Sequence, residues 1–437
     1  MLTTLFCQLD ELQQRGVAHF IVAYSGGIDS QVLLHGCSLY QQQHPAIELS
    51  ACHIHHGLSA NADSWLQHCQ ASCQQLAIPF IHERVQLVRG SRQSLEAVAR
   101  DARYRVLETL VDHPSCAVLT GHHQDDQVET LFLSLKRGSG LDGLSAMPSL
   151  MPFARGWLAR PMLQLSRAEL QQYANEQQLS WIEDESNQDD RFDRNFIRNQ
   201  LLPLCQQRWP SFNQTASRSV SLLAQDRAVL EEITAQDYQS CVTANGLSIS
   251  ALKSLSNARR ERVMRHWLRQ RCVPLWSYRQ QQQAWQSVAL AQQDAQPQLS
   301  WAGWQLRRYR DDLVLLDGNI ASYPQQLTWQ WPQPLSLPNG TLSAQPSDTA
   351  ARRLKGPLDG QPVSIRFGQL KQRVRPAMRQ GSRELKKVWQ EMAVPPWLRQ
   401  QIPLLFYGEE CVAAIGYWVA QGYECQPGES GWHIELS

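Results

Sequence analysis

The chain has 437 residues, a length that predicts about three domains at roughly 150 residues each. Hydrophobic residues make up 43% of the sequence and charged residues 19%, a composition that can fill cores and excludes wholesale disorder. The 41 Lys and Arg residues nearly balance the 40 Asp and Glu residues. The resulting net charge of +1 excludes a uniformly basic nucleic-acid-binding coat but not a local basic patch.

The N-terminus and the cysteines indicate the compartment. The opening segment lacks a basic region and becomes acidic at Asp10 and Glu11, unlike a secretory signal. The longest apolar run, residues 411–420, is far shorter than the roughly 20 residues that span a bilayer. The 11 cysteines are scattered and include no Cys-x-x-Cys pair, which favours reduced thiols over a disulfide framework. These features predict a cytoplasmic protein without a membrane partner.

Short apolar runs alternate with amphipathic segments over the first ~215 residues, in the pattern of β-strands alternating with α-helices. Strands are predicted at residues 20–24, 47–54, 79–85 and 116–120. Helices are predicted at residues 29–40, 66–76, 95–106 and 128–135, with Ser94 as a cap of the third. This alternation predicts an α/β fold with a doubly wound parallel sheet covered on both faces.

The rest of the chain has a different organisation. Amphipathic segments at residues 215–238 and 257–271 predict a helical middle domain, and a Pro-, Gln- and Trp-rich stretch at 322–338 predicts a linker. Short apolar stretches after residue 337 predict a small α+β domain. We therefore expect domains at 1–215, 216–325 and 337–437. The segment 352–399 carries 12 basic residues against three acidic ones, which is typical of a polyanion-binding module.

A glycine-containing loop joins the first predicted strand to the first predicted helix. It reads Ser25-Gly26-Gly27-Ile28-Asp29-Ser30. Its glycines let backbone N–H groups approach a phosphate, and the helix N-terminus adds partial positive charge. The lysine of an ordinary P-loop is missing, so the loop differs from that of P-loop NTPases. Asp29 is an acid beside a phosphate site, and its expected partner is a cation such as Mg²⁺ that bridges the phosphates.

Further polar residues follow two other predicted strands. His53 ends the second strand, where contact with an adenine ring or packing is favoured over zinc binding. Asp126 and Glu129 are three residues apart at a predicted helix start and share one face, so they can hold a metal or an ammonium group. A metallohydrolase cluster of His122, His123 and their acidic neighbours is disfavoured, because adjacent residues point to opposite sides and converge poorly.

Several other motifs accompany these along the chain. The others are residues 94–104, 136–144, Arg160-Pro161, 181–187, Arg194-Asn195-Phe196-Ile197-Arg198, 383–391, 395–399 and 402–405. The phosphate loop resembles that of the PP-loop ATP pyrophosphatases, and the ordered set closely resembles the tRNA(Ile)-lysidine synthetase family. The resemblance covers the first ~215 residues and returns near the C-terminus, whereas the middle, about 215–336, is less distinctive.

The resemblance implies an ATP-dependent ligase that joins free L-lysine to C2 of the wobble cytidine in the isoleucine tRNA with a CAU anticodon. An adenylated cytidine would be the intermediate, and AMP and pyrophosphate the products. The lysidine formed would change codon and amino-acid specificity from methionine to isoleucine. ATP, Mg²⁺, L-lysine and this tRNA are the implied ligands, and the oligomeric state stays open, a dimer being one option.

The resemblance also implies roles for individual residues. Asp126 and Glu129 would orient the lysine, the metal or both, and Arg103 would neutralise negative charge that develops on the phosphate. Asp29 would bind Mg²⁺ and count with these three as catalytic. The implied ATP-binding residues are Ser25, Gly26, Gly27, Ile28, Asp29, Ser30 and His53. The implied tRNA-binding residues are Arg194, Asn195 and Arg198 near the catalytic site and Arg383, Lys386 and Lys387 in the C-terminal domain.

Two alternatives stay open at this point. Another PP-loop enzyme that acts on RNA, such as a tRNA thiolase, is weakened because the sequence lacks a Cys-x-x-Cys pair near the loop. A non-catalytic tRNA-binding protein would have no use for the intact Ser-Gly-Gly-Ile-Asp-Ser loop. Trp389 invites a base-stacking interpretation, but its helical spacing with Leu385 favours core packing.

Overall fold

The computed structural model describes residues 1–57, 59, 61–87, 95–292, 297–318, 323–349, 352–378, 381–426 and 428–437. The described chain divides into two compact units, 1–233 and 234–437. Ser94, the predicted helix cap, lies outside the described residues. The three predicted domain boundaries remain a prediction beside this two-unit division.

The first unit is built on one six-stranded sheet. The strand order is β3-β2-β1-β4-β6-β5. Neighbouring strands run parallel except for β5, which runs antiparallel to β6 at the edge. The strands are β1 (His19–Ala23), β2 (Glu48–His55), β3 (Phe80–Arg84), β4 (Cys116–Leu119), β5 (Leu150–Phe153) and β6 (Gly156–Ala159).

The helices of the first unit follow the strands in alternation. They are α1 (Leu2–Gln14), α2 (Ile28–Gln43), α3 (Ala62–Gln75), α4 (Leu95–Leu110), α5 (Gln124–Lys136), α6 (Leu141–Leu144), α7 (Arg167–Glu176), α8 (Asp193–Phe196), α9 (Leu202–Arg208) and α10 (Phe212–Cys241), whose last residues belong to the second unit. A π-helical turn, Ile197–Leu201, joins α8 to α9, and a 3₁₀ turn lies at Glu185–Gln188.

Both faces of the sheet are covered because successive strand residues point to opposite sides. Phe20 and Val22 of β1 belong to one core, which includes side chains of α1, α2, α3 and α7. Ile21 belongs to the other, which includes Leu107 of α4 and Val111, the residue directly after that helix. The predicted doubly wound sheet is therefore confirmed. The four predicted strands and the helices at 29–40, 66–76, 95–106 and 128–135 are present, with ends shifted by a few residues.

The second unit begins with helices and continues as β-structure. Helices α11 (Ile249–Ser254) and α12 (Asn257–Gln270) pack with a four-stranded antiparallel sheet, so the predicted helical region also contains strands. The π-helical turn Ala284–Ala289, which follows helix α13 (Tyr278–Gln283), packs in the same core. That sheet has the order β7-β10-β9-β8. Its strands are β7 (Leu247–Ser248), β8 (Gln298–Trp301), β9 (Trp304–Tyr309) and β10 (Asp312–Asp317).

The remaining strands form three small sheets, with orders β11-β14-β17-β18-β19, β12-β13-β20 and β15-β16. Trp389 is fully buried among them, as its spacing predicted. None of the helices in the described residues has the length and apolar character to cross a membrane. The elements are β11 (Gln326–Thr328), β12 (Leu335–Leu337), β13 (Gly340–Ser347), β14 (Val363–Arg366), β15 (Arg373–Val374), β16 (Arg383–Glu384), α14 (Leu385–Glu391), β17 (Leu404–Tyr407), β18 (Glu410–Ala414), β19 (Trp418–Val419) and β20 (Gly431–Leu436).

Candidate active site

The polar motifs of the first unit meet where the strand order reverses. The chain proceeds from β1 outward to β2 and β3 on one side, and β4 then pairs with the other side of β1. The carboxyl ends of β1 and β4 therefore lie side by side, and the crevice outside such a reversal is the usual ligand site of open α/β sheets. The loop after β1 is 24–27, and the loop after β4 is 120–123.

The loop after β1 has the geometry of a phosphate cradle. Gly26 has φ +85°, and a Cβ there would lie 2.5 Å from Ile182 Cδ1 and 2.9 Å from Cys69 Sγ. Ser30 Oγ donates to the Gly27 carbonyl (2.9 Å) and accepts from the Ser25 N–H (3.2 Å). The first N–H groups of α2 have no partner within the helix, so they are available to a phosphate at its N-terminus.

The loop after β4 lies against the start of α2. A Cβ at Gly121 would lie 3.0 Å from the backbone of Asp29, so this close approach requires a small residue. The Asp29 carboxylate is 29% exposed and accepts from Arg167 Nη1 at 3.1 and 3.3 Å. The Arg167 backbone N–H donates to Asp125 Oδ2 (2.9 Å). Arg167 thus links the phosphate loop to the start of α5.

His123 lies fully buried among three carboxylates. Its Nε2 is 3.6 Å from Asp29 and 3.5 Å from Asp126, and its Nδ1 is 3.6 Å from Asp125. Burial disfavours the charged imidazole, but these carboxylates outweigh it and raise the pKa of His123 to about 10. The ring is therefore protonated at neutral pH and lowers the electrostatic repulsion among the three acids.

Asp126 and Glu129 form the second half of the site, with two arginines from the α8 segment, which consists of α8 and the π-helical turn after it (residues 193–201). Arg194 Nε donates to Glu129 (2.7 Å) and its Nη2 to Asp126 (2.9 Å). Arg198 Nε donates to Glu129 (2.6 Å), and its Nη2 reaches both Asp126 (3.2 Å) and Glu129 (3.1 Å). Burial acts to raise the pKa of Asp126, but His123 and Arg194 hold it well below its usual range.

The structure thus places Arg194 and Arg198 against carboxylates of their own chain. Their predicted contact with tRNA remains a prediction, and so does that of Asn195, whose Nδ2 donates to the Asp189 carbonyl (3.1 Å). Spacing in the sequence gave no sign of this pairing, because 65 or more residues separate each arginine from its carboxylate partners.

Arg103 lies on α4, with its guanidinium carbon 5.9 Å from the centre of the Tyr104 ring. Burial lowers the pKa of His56, after β2, to about 4, and the charge of Arg103 contributes to that shift. Burial likewise lowers the pKa of His122, after β4, to about 3, with Arg103 among the cations that add to it. The charge of Arg103 therefore acts on side chains that follow both β2 and β4, whereas its predicted role at the phosphate stays a prediction.

His53 is hydrogen-bonded to the backbone at the start of the phosphate loop. It is buried at the end of β2, and its Nδ1 donates to the Tyr24 carbonyl (3.0 Å) where the phosphate loop begins. Burial is the main cause that lowers its pKa, so the ring is neutral with Nε2 as an acceptor. Contact of His53 with adenine stays a prediction.

The donor groups fit Mg²⁺ better than a transition metal. Within the described residues there is no cluster of three His, Cys, Asp or Glu side chains that could hold a metal ion by itself. Mg²⁺ is usually held by one or two carboxylates together with substrate phosphates and water. The partly exposed Asp29 carboxylate at the phosphate loop meets that requirement.

The predicted phosphate-binding residues of the second unit lie on a larger basic surface. Strand β15 pairs with β16, and the Lys386 N–H donates to the Leu370 carbonyl (3.0 Å), so two basic stretches of chain are joined. We call this surface the C-terminal basic patch, and its residues are Lys371, Arg373, Arg375, Arg383, Lys386 and Lys387. All six side chains are exposed, although Arg383 also pairs with Glu391 (2.9 Å).

Sequence reasoning missed Arg167 and three members of the basic patch. Arg167 opens a helix whose cap, Ser166 with Glu169, is a capping-box signal that could have located it. Lys371, Arg373 and Arg375 lie in the segment already noted for its positive charge, but only strand pairing assigns them to one surface with Lys386 and Lys387.

Three family models match consecutive parts of the chain. A PP-loop domain matches residues 1–205, a TilS substrate binding domain matches residues 247–314, and a TilS substrate C-terminal domain matches residues 363–436. The first match contains the phosphate loop and the arginine–carboxylate cluster. The third contains the C-terminal basic patch.

Curated relatives match the chain over almost its whole length. A tRNA(Ile)-lysidine synthase of Shigella flexneri is 44% identical over 424 residues, covering 95% of this chain and 96% of the relative. One of Salmonella typhimurium is 43% identical over 423 residues, covering 96% of each. A solved TilS C-terminal domain matches 25% of this chain and 97% of its own, at 16% identity and a TM-score of 0.22. On the strength of the full-length relatives, the chain belongs to the tRNA(Ile)-lysidine synthase family.

Proposed function

We propose that this protein ligates free L-lysine to C2 of the wobble cytidine of a CAU-anticodon isoleucine tRNA, at the expense of ATP. The observation that carries the proposal is the full-length similarity to curated lysidine synthases, together with a phosphate loop placed beside an arginine–carboxylate cluster. We further propose that residues 1–215 form the catalytic domain, that residues 216–325 and 337–437 contact tRNA, and that the reaction takes place in the cytoplasm.

The reaction has two balanced steps. First, the cytidine O2 attacks the α-phosphorus of ATP, which forms an O–P bond and releases pyrophosphate. Second, the neutral ε-amine of lysine attacks C2, the C2–O bond breaks, AMP leaves with that oxygen, and the amine loses its proton. Adenylation makes the oxygen a good leaving group, and lysine is a competent nucleophile only when it is neutral.

The loop Ser25–Ser30 would hold the phosphates, with His53 beneath it and Asp29 as the carboxylate for Mg²⁺. A bound Mg²⁺ would neutralise charge on the phosphates. Arg167 lies against Asp29, and the charge of Arg103 acts on side chains that follow β2 and β4. These two guanidiniums would stabilise negative charge that develops during adenylation. Asp126 and Glu129 would organise the lysine site.

Incorporation of labelled lysine into CAU-anticodon isoleucine tRNA tests the function. We expect ATP-dependent incorporation with one AMP and one pyrophosphate released per lysine. Pyrophosphate release without lysine incorporation would contradict the proposal and favour the alternative, a PP-loop thiolase, for which dependence on a sulfur donor would be the positive result. ATP-independent tRNA binding without turnover would indicate a binding protein.

The role of Asp126 has its own test. Asp126→Ala removes one of the two carboxylates that fix Arg194 and Arg198, and we expect lysine transfer to fall by at least about 100-fold while most tRNA affinity remains. Asp193→Ala, which removes an exposed carboxylate paired with Lys136, is the matched control and should retain transfer. Normal transfer by Asp126→Ala would rule out this role.

A further inference from the structure

An aromatic side chain lies exposed at the turn between α9 and α10. Trp209 directly follows α9 as its C-cap, and it is 58% exposed. Its backbone is fixed at both ends, because its N–H donates to the Cys205 carbonyl (2.7 Å) and its carbonyl accepts from the Phe212 N–H (2.9 Å). Neither hydrogen bond uses the side chain, so the turn itself does not explain an aromatic residue at this position.

A row of three aromatic rings leads from the protein interior to that exposed position. The rings of Phe132 on α5 and Phe212 at the start of α10 have centroids 6.1 Å apart and planes inclined by 32°. Phe212 and Trp209 follow at 6.2 Å and 29°. The two phenylalanines pack against the small core that α5 shares with the α8 segment and α9. The indole is therefore supported by a packed ring on one side, while more than half of its residue surface stays open to solvent.

The chain around Trp209 is positively charged. Residues 202–225 contain two arginines, Arg208 and Arg218, both exposed, and no acidic residue. Two copies of the chain that met at this surface would bring like charges together, which disfavours self-association. An exposed ring beside positive charge is the kind of surface that binds unpaired nucleic acid, because bases stack on the ring and phosphates meet the cations.

The row of rings begins one helical turn from the acid pair of the candidate site. Phe132 follows Glu129 by three residues on α5, a spacing that places two side chains on the same face of a helix. One helical turn is only about 5.4 Å long. This step and the two steps between rings are short compared with the span of a tRNA loop. A base beside the target cytidine can therefore reach the indole of Trp209.

Resting on the proposed function, we propose that Trp209 stacks on an unpaired anticodon-loop base next to the target cytidine. Chemistry at C2 requires the cytidine to leave the base stack, so a neighbouring base loses its stacking partner. The indole replaces that partner, and Arg208 contacts the adjoining phosphate. Because every base has a π-face, this contact positions the loop without reading its sequence, and it adds to the affinity that the C-terminal basic patch supplies.

Binding of CAU-anticodon isoleucine tRNA, measured without ATP or lysine, tests the contact. We expect Trp209→Ala to lower the affinity about 10- to 100-fold and Trp209→Phe to retain most of it, because phenylalanine keeps a flat ring. Leu204→Ala is the matched control, since Leu204 on α9 is apolar and 64% exposed but not aromatic, and this variant should bind like wild type. An unchanged affinity of Trp209→Ala, or equal losses in both Trp209 variants, would overturn the proposal.

RNA molecules that lack a single base separate stacking from a structural role of Trp209. Removing the base on one side of the target cytidine, with ribose and phosphate kept, should weaken binding to the wild-type protein for at least one of the two sides. Trp209→Ala should not respond to that same removal, because its stacking partner is already gone. A penalty of equal size in both proteins would mean that Trp209 acts only through the fold of the turn.

Failure of this inference can be distinguished from failure of the proposed function. Lysine incorporation by the wild-type protein, together with wild-type tRNA affinity of Trp209→Ala, would reject the stacking contact and leave the function intact. A wild-type protein that binds the tRNA but incorporates no lysine would reject the function, whatever the affinity of the variants. Self-association that is lost in Trp209→Ala, measured by sedimentation equilibrium, would assign the indole to an interface between copies and overturn the proposal.

Discussion

Gly26 and Arg167 matter at the phosphate loop for different physical reasons, Gly26 for steric and Arg167 for electrostatic ones. Gly26 combines φ +85° with contacts that leave no room for a Cβ, so both the backbone and the packing require glycine. Arg167 carries a charge that the sequence motif does not contain, and its guanidinium is 41% exposed beside Asp29. Its position makes it available to a phosphate once Asp29 binds a cation.

Gly26→Ala should lower stability and ATP affinity together, because the added methyl must displace Ile182 or Cys69. We expect a loss of about 2–4 kcal/mol in the free energy of unfolding, measured by denaturant titration. Gly138→Ala is the control, since Gly138 has φ +64° but nothing within 4 Å of its Cβ position. Equal losses in the two variants would mean that backbone strain alone explains the effect.

Arg167→Ala should raise the KM for ATP by about 10- to 100-fold, in line with the loss of a charge-assisted contact to a phosphate. Affinity for tRNA should be unchanged, and Arg167→Lys should recover part of the loss. Arg155→Ala is the matched control, because Arg155 directly precedes β6 and so lies at the amino end of a strand, whereas the site lies at the carboxyl ends. An unchanged KM for ATP would limit Arg167 to fastening α7.

At the scale of elements, α5 brings the two halves of the site together. Its first turn carries Asp125 and Asp126, and Glu129 lies one turn later. His123 caps its start among three acids, and the α8 segment supplies the arginines that neutralise its inner face. The helix is therefore held by ion pairs at the site itself, so the same charges that shape the site contribute to stability.

The pH dependence of stability should report these ion pairs. Asp126 has a lowered pKa in the folded protein, so its contribution is present above the unfolded value of about 3.9 and disappears as the pH falls through the folded value. We expect the difference in unfolding temperature between wild type and Asp126→Asn to shrink from pH 6 to pH 3. A difference that does not depend on pH would contradict this account. Asp193→Asn, with its exposed pair, should show little difference throughout.

At the scale of the whole molecule, positive charge is concentrated although the net charge is only +1. The C-terminal basic patch lies in the second unit, whereas the phosphate loop and the arginine–carboxylate cluster lie in the first. A tRNA is large enough to contact more than one surface of a protein at once. We therefore expect the patch to supply tRNA affinity and the first unit to supply the chemistry.

Charge reversal of the patch tests this division. Lys386→Glu combined with Lys387→Glu should weaken tRNA binding by at least about tenfold and reduce the salt dependence of the binding constant by roughly one or two phosphate contacts. At saturating tRNA the turnover rate should persist. The control pair is Arg15→Glu with Arg155→Glu, which changes the net charge by the same amount in the segments that precede β1 and β6. This pair should leave the salt dependence of tRNA binding intact. Equal effects of the two pairs would point to net charge rather than a docking surface.

The alternation of strands and helices, the phosphate loop and the family could be recognised from the amino-acid sequence alone. These features are local, because hydrophobic periodicity and a six-residue motif are complete within short windows of chain. The sequence also placed Asp126 and Glu129 on one face, since that follows from helical spacing alone. The antiparallel edge strand β5 and the strands of the middle region could not be predicted in this way, because the pairing partners of a strand are selected by packing.

The partner of each charged side chain, by contrast, becomes known only from the three-dimensional fold. Arg194 and Arg198 belong to a motif that predicted tRNA contact, yet their guanidiniums meet Glu129 and Asp126. Arg167 reaches Asp29 across 138 residues of sequence. The physical reason is that an ion pair depends on a few ångströms of distance and on burial, and both are fixed by how helices pack on the sheet, not by spacing along the chain.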